Sequence, residues 1–185
     1  MGKTSAGTDE LMTERLVLRP LRESDLDALA AIYADPQTMR YLGGPRTRDH
    51  TRTGLEWMIA AHRDQGFGLW ATTLLEDATL IGRCGLLIQD VEGATENEIA
   101  YLLGSEWWGR GYATEAATAI RDHAQSQLGF ERLISLIAPD NASSHAVARR
   151  VGMHHERDLT FEGRPTSLFA LQQRGQTPML HGGDA

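Results

Sequence analysis

The apolar positions of the chain follow two periods, and their order predicts the fold. Glu98 to Leu103 form a short apolar strand. After a polar turn, Ala113, Ala116, Ala117, Ile120, Ala124 and Leu128 recur at three- and four-residue spacing and predict a helix over 112–128. A second strand, RLISLIA, and a second helix, capped by Asp140 or Asn141 and running through Arg150, complete a βαβα unit within residues 98–153. Upstream, Leu16, Leu18 and Pro20 alternate with Val17, Arg19 and Leu21 in a first strand beginning near Thr13. Ser24 or Asp25 starts a helix through about Tyr33 that Pro36 ends. The loop MRYLGGPRTRD leads to a helix over about Arg48 to Asp64, with Leu55, Met58, Ile59 and His62 on one side. Strands over about Gly68 to Leu75 and Thr79 to Ile88 form an antiparallel hairpin, with Gly82 and Gly85 predicting a bulge or a close backbone approach. DVEGATE reads as a loop before the central strand, and HHERDLTFEGRPTSLFAL as a terminal hairpin turning at Glu162-Gly163-Arg164. The expected architecture is α/β, a mixed sheet with helices on both faces. One domain spans 13–171, with a flexible leader over 1–12 and a flexible tail over 172–185.

Composition narrows the class. A chain of 185 residues with 41% hydrophobic content can bury one sizeable core. No stretch is long and apolar enough to span a membrane, and the polar start MGKTSAGTDELM lacks a signal-peptide core, which points to the cytoplasm. Cys84 is the only cysteine, so no intrachain disulfide can form, and its apolar strand marks it as a small buried hydrophobe rather than a nucleophile. The formal net charge of -7 opposes nucleic-acid binding and suits a cationic substrate. Adjacent His154 and His155 point to opposite faces of a strand, and no histidine spacing fits a metal site.

The chemistry gathers at the turn before the 112–128 helix. Gly109 and Gly111 let a ligand approach a helix N-terminus whose unpaired N–H groups and partial positive charge favour phosphate. A dinucleotide fingerprint requires a third glycine where Thr114 stands, and a Walker loop requires a following Gly-Lys-Ser/Thr that is missing. Arg110, Arg149 and Arg150 flank the two helix ends and could offset an anionic ligand.

The segment Trp108-Gly109-Arg110-Gly111-Tyr112-Ala113 resembles the pyrophosphate loop of the GCN5-related N-acetyltransferases. Thr114-Glu115-Ala116, Asn141-Ala142-Ser143-Ser144 and Arg150-Val151-Gly152-Met153 fit the same family, closest to the branch that acetylates N-terminal amines of ribosomal proteins and many small amines. Trp108 stands where the general pattern has Gln or Arg, a form frequent in that branch. The resemblance implies acetyl-CoA as acyl donor and a primary amine, on a peptide N-terminus or a small molecule, as acceptor. It implies a mostly antiparallel sheet whose two central strands splay apart beyond Leu103. An N–H near Leu102 or Leu103 would then face the thioester oxygen, and Trp108 to Thr114 and Asn141 would hold the donor. Glu156 and Glu98 compete as base, with Glu156 preferred, and Ser144 is placed near the thioester sulfur. Phe169 replaces a frequent tyrosine and cannot donate a proton. Tyr41, Trp57 and Phe67 become candidates for acceptor contact. The branch often forms homodimers. A second reading keeps the CoA cleft without catalysis, as a sensor or a partner-binding module.

Overall fold

Alternating apolar residues dominate the strands of the computed structural model, in which residues 10–172 are described. The elements run β1 (Leu11–Met12), β2 (Leu16–Pro20), α1 (Leu26–Ala34), α2 (Pro36–Met39), α3 (Arg48–Gln65), β3 (Leu69–Leu74), β4 (Leu80–Val91), β5 (Ala94–Leu103), α4 (Tyr112–Ser126), β6 (Arg132–Ile137), α5 (Ala142–Arg150), β7 (His154–Phe161) and β8 (Arg164–Gln172). They build one sheet in the order β1-β2-β3-β4-β5-β6-β8-β7. Every neighbouring pair is antiparallel except β5 and β6.

Period-two alternation divides the core between the two faces. On one face Leu16, Leu18, Trp70, Cys84, Leu86, Ile99 and Leu103 pack with the alanine-rich side of α4, where Ala116, Ala117 and Ala124 are fully buried. Alanine lets α4 lie close to the sheet. On the other face Leu69, Ala71 and Leu102 pack with Leu29 and Tyr33 of α1 and Leu55 and Met58 of α3. Asp35 caps α2 by accepting from the Gln37 and Thr38 amides, and also accepts from the Ser105 hydroxyl at 2.6 Å. Those bonds, Ser105 first, hold the Asp35 carboxyl at about 2 and tie the α2 region to the end of β5.

Several expectations need correction. Leu11 and Met12 of the expected leader pair with Leu18 and Val17, while residues 1–9 and the tail beyond Gln172 lie outside the described residues. Pro36 opens α2 at its first position, where a missing N–H costs nothing, instead of only closing α1. DVEGATE is not a loop: β4 continues to Val91 and β5 starts at Ala94, joined through Glu92 and Gly93, both at positive φ. The glycines in β4 mark close approach. A Cβ on Gly82 would lie 2.1 Å from the Leu102 carbonyl oxygen.

Candidate active site

The parallel pair at the centre of the sheet is incomplete. β5 and β6 share one register pair, Glu98 with Ile134, after which the Ser135 hydroxyl donates to the Ile99 carbonyl at 2.7 Å. Beyond that point the strands part, so the splay starts near Ile99 and not beyond Leu103. The gap opens into a cleft of about 1110 Å³ walled by residues 98–103 of β5, the end of β6, the starts of α4 and α5, and residues 40–42.

Gly111 forms the N-cap of α4 at φ 83° without any side-chain cap. The amides of Tyr112, Ala113 and Thr114 have no earlier helical carbonyl to bond, so they face the cleft mouth as open donors at the positive end of the helix dipole. Gly109 is also left-handed, at φ 75°, and a Cβ there would meet nothing within 4 Å. Arg15 braces the loop by donating to the Arg110 carbonyl at 3.0 Å, pairing with Glu115 at 2.6 Å and lying over the Tyr112 ring. Burial works to raise the Glu115 pKa, but bonds from Thr13 and Arg15 outweigh it and hold the carboxyl below its ordinary range. Trp108 donates to the Leu103 carbonyl at 2.8 Å, pinning the loop to the strand.

Strand alternation decides which β5 amide faces the gap. The Gly104 amide donates to Ile81 of β4, and the Leu102 carbonyl lies against Gly82 of β4. Leu102 therefore spends its backbone polar groups on β4. Leu103, one residue away, turns its N–H and C=O toward the cleft, in agreement with the bond from Trp108.

The two carboxylates differ. Glu98 lines the cleft at 7% exposure, accepting from Gln89 Nε2 at 2.7 Å and from the Leu136 amide at 3.3 Å. Desolvation raises its pKa above the ordinary value, although the two hydrogen bonds and the Arg83 charge work the other way. Glu156 lies on β7, outside the cleft lining, gripped by Arg132 at 2.9 and 3.0 Å and touched by Arg157. The Arg132 hydrogen bond holds its pKa down, making it a poor proton acceptor.

This geometry has known counterparts. The family described as Acetyltransferase (GNAT) domain matches residues 15–154. The chain belongs to the GNAT acetyltransferase family. An uncharacterised Bacillus subtilis protein, YkkB, is 30% identical over 161 residues, covering 86% of this chain and 94% of its own. A solved Agrobacterium tumefaciens acetyltransferase superposes with TM-score 0.78 at 30% identity, covering 94% of this chain and 99% of that one. The RimL ribosomal L7/L12 α-N-protein acetyltransferase in complex with coenzyme A, TM-score 0.73 at 19% identity over 88% and 97% of the two chains, shares the fold.

Within this GNAT domain the residues expected from the sequence divide sharply. Leu102, Leu103, Trp108 to Thr114, Asn141, Ser144, Glu98 and Tyr41 all line the cleft. Asn141 caps α5 through the Ser144 amide at 3.1 Å, so its capping role and its place on the wall coincide. Trp57 and Phe67 do not reach the cleft. Trp57 is 56% exposed on the outer side of α3, and Phe67 packs edge-on against Phe130. Of the expected acceptor wall the loop at 40–42 contributes and α3 does not. Phe169 is fully buried beside His145 and His155, outside the cleft lining.

Sequence reasoning missed Tyr101, Arg83 and Arg15 of this acetyltransferase. Tyr101 reaches across the gap to donate to the Ser144 carbonyl at 2.9 Å, with burial raising its pKa. Only its alternation with Leu102 and Leu103 could have marked it. Among the described residues no group of three or more His, Cys, Asp or Glu is arranged to hold a metal, and no helix is long and apolar enough to cross a membrane. Burial pushes the Cys84 thiol up to about 12. Cys84→Ala should therefore keep kcat within about twofold and cost about 1 kcal/mol of stability. Rapid-quench kinetics with acetyl-CoA checks this, because a burst of thiol release abolished by Cys84→Ala would restore a covalent route.

Proposed function

We propose that this N-acetyltransferase moves an acetyl group directly from acetyl-CoA to a primary amine. The observation that carries this reading is one continuous cleft that links the open N-terminus of α4 to the buried Glu98 carboxylate through the β5–β6 gap. The donor supplies an activated thioester. The chain's own residues divide the remaining work.

The Tyr112, Ala113 and Thr114 amides and the Arg110 and Arg150 side chains, all on the cleft wall, suit a pyrophosphate. Two left-handed glycines leave the loop backbone bare where an anion would approach. The Leu103 N–H, turned into the gap, is placed to stabilise negative charge on a carbonyl oxygen there. Glu98 is the base that relieves the acceptor amine of its proton. Its raised pKa brings it closer to the operating pH than an ordinary carboxylate, and burial among apolar groups favours proton transfer to it. Across the gap, the Ser144 hydroxyl has no hydrogen-bond partner among the described residues, so it can supply a proton to a departing thiolate.

Calorimetric titration with acetyl-CoA, with ATP and NADH as controls, tests the cleft assignment. Acetyl-CoA should bind selectively, and Gly111→Val, which places a branched side chain at φ 83°, should weaken it at least about tenfold. Equal affinity for ATP, or an unchanged variant, would overturn the reading.

A further inference from the structure

The cleft floor carries a charge that neither the fold nor the acyl donor uses. Arg83 projects from β4 on the face shared with Leu102 and Glu98, because its register partner is Leu102 and Glu98 lies two pleats further along the same side. That is the α1 and α3 face. The helix N-termini and Arg110 and Arg150 stand on the opposite side, with α4 and α5. Arg83 is only partly exposed and lines the cleft.

Its hydrogen bonding is half complete. Arg83 Nε donates to the Tyr33 hydroxyl at 2.6 Å, and Tyr33, 2% exposed, is locked in the core. The fork is thus fixed in direction. Its two terminal amino groups have no hydrogen bond and no ion pair among the described residues, where half of the arginines meet a carboxylate. Glu98 does not satisfy it either, since its oxygens are taken by Gln89 and Leu136 and no contact within 4 Å joins the two charges. A partly desolvated, rigidly aimed guanidinium with free donors is built to receive a planar anion.

The charge balance of the cleft supports the same partner. The chain is acidic overall, yet its cleft is lined by Arg40, Arg83, Arg110 and Arg150 against only Glu98 and Glu115, and Glu115 is spent on Arg15. A polycationic acceptor would meet repulsion there. An acceptor that brings its own negative charge would not. The four-residue offset between Glu98 and Leu102, the register partner of Arg83, is about 13 Å along the β5 backbone. That offset leaves room between the two charged groups for a molecule the size of an amino acid.

We propose that Arg83 binds the acceptor's carboxylate, so that the amine acetylated at Glu98 belongs to a small amino-acid-like molecule and not to a polyamine or an aminoglycoside. Tyr33 is the positioning residue that aims the fork. This rests on the acetyl-transfer reading above and names its substrate class.

The test measures thiol release from acetyl-CoA with each common L-amino acid and, in parallel, with its carboxamide, after acetyl-CoA binding has been verified by calorimetry on the same sample. The best acceptors should be free acids, with kcat/KM about 10- to 100-fold above their carboxamides, the range expected for hydrogen bonds to a charged group. In Arg83→Met the ratio of acid to carboxamide should fall to about 1, chiefly through KM. Tyr33→Phe should lower the ratio by a smaller factor without altering the pH profile. Equal use of acid and carboxamide, a preference that survives Arg83→Met, or turnover of simple amines but of no amino acid would overturn the proposal while leaving acetyl transfer intact. A sample that binds acetyl-CoA yet acetylates nothing in the panel also overturns it. Failure to bind acetyl-CoA would instead overturn the acetyl-transfer reading, and the Arg83 assignment with it.

Discussion

Glu98→Gln should lower kcat by about 10²- to 10⁴-fold while making the protein more stable. The catalytic loss follows from removing the one cleft carboxylate that is not already paired with an arginine. The gain follows from burial. A carboxyl whose folded pKa is raised favours the folded state most fully when protonated, and that contribution disappears as pH rises through the folded value. At low pH variant and wild type should therefore melt alike, and the variant's advantage should grow with pH. Glutamine can keep both contacts, accepting from the Leu136 amide and donating to Gln89 once that amide is flipped. Wild-type activity should fall as pH drops through the raised pKa, because only the charged carboxylate accepts a proton. In the same experiment Glu156→Gln should leave kcat within about twofold. Steady-state kinetics and thermal melts across pH check all of this; an unchanged kcat in Glu98→Gln would eliminate it as the base.

Gly82→Ala should cost about 3 kcal/mol or more, a large effect for one added methyl group. The new Cβ would sit 2.1 Å from the Leu102 carbonyl and 2.7 Å from Leu103 Cα, both backbone atoms of the neighbouring strand, so no side chain can yield to admit it. β5 would be pushed from β4 beside the cleft. Gly54→Ala is the contrast: it lies inside α3 with only an Arg46 side-chain atom near, at 3.9 Å, and should stabilise by about 0.5–1 kcal/mol. Urea denaturation of the two variants measures the difference, and similar midpoints would show that the β4–β5 contact is softer than its geometry.

The sequence carried most of the fold because its elements have strong periods. α4 showed itself in its alanine stripe, and α5 in its asparagine cap. Boundaries failed where local chemistry was ambiguous. Glu92-Gly93 lies in a polar acidic stretch that reads as loop, yet it closes a two-residue turn between long strands, just as Glu162-Gly163 does near the C-terminus. The part of the cleft wall at the start of α4 was legible because one contiguous stretch, residues 108–114, builds it. The acceptor side was not. Glu98 and Tyr41 were candidates, but Arg83 and Tyr33 come from two further elements, and their placement beside Glu98 depends on the strand register. Aromatic character misled for Trp57 and Phe67, since a large ring signals burial or exposure equally well until the helix face is known. Glu156 misled because its distance from Gly152-Met153 says nothing of the Arg132 that holds it.

That arginine gives the cleft its mechanics. Arg132, near the start of β6, holds Glu96 of β5 on one side and Glu156 of β7 on the other, just before the last shared register pair of the parting strands. It acts as the rivet of a pair of tongs: one end of the sheet is clamped across four strands, and the jaws diverge from that fixed point. The width of the mouth then depends on the angle at that point as well as on the bond from Tyr101 to the Ser144 carbonyl across the gap. Loosening the rivet would widen the jaws without touching any group that meets a substrate.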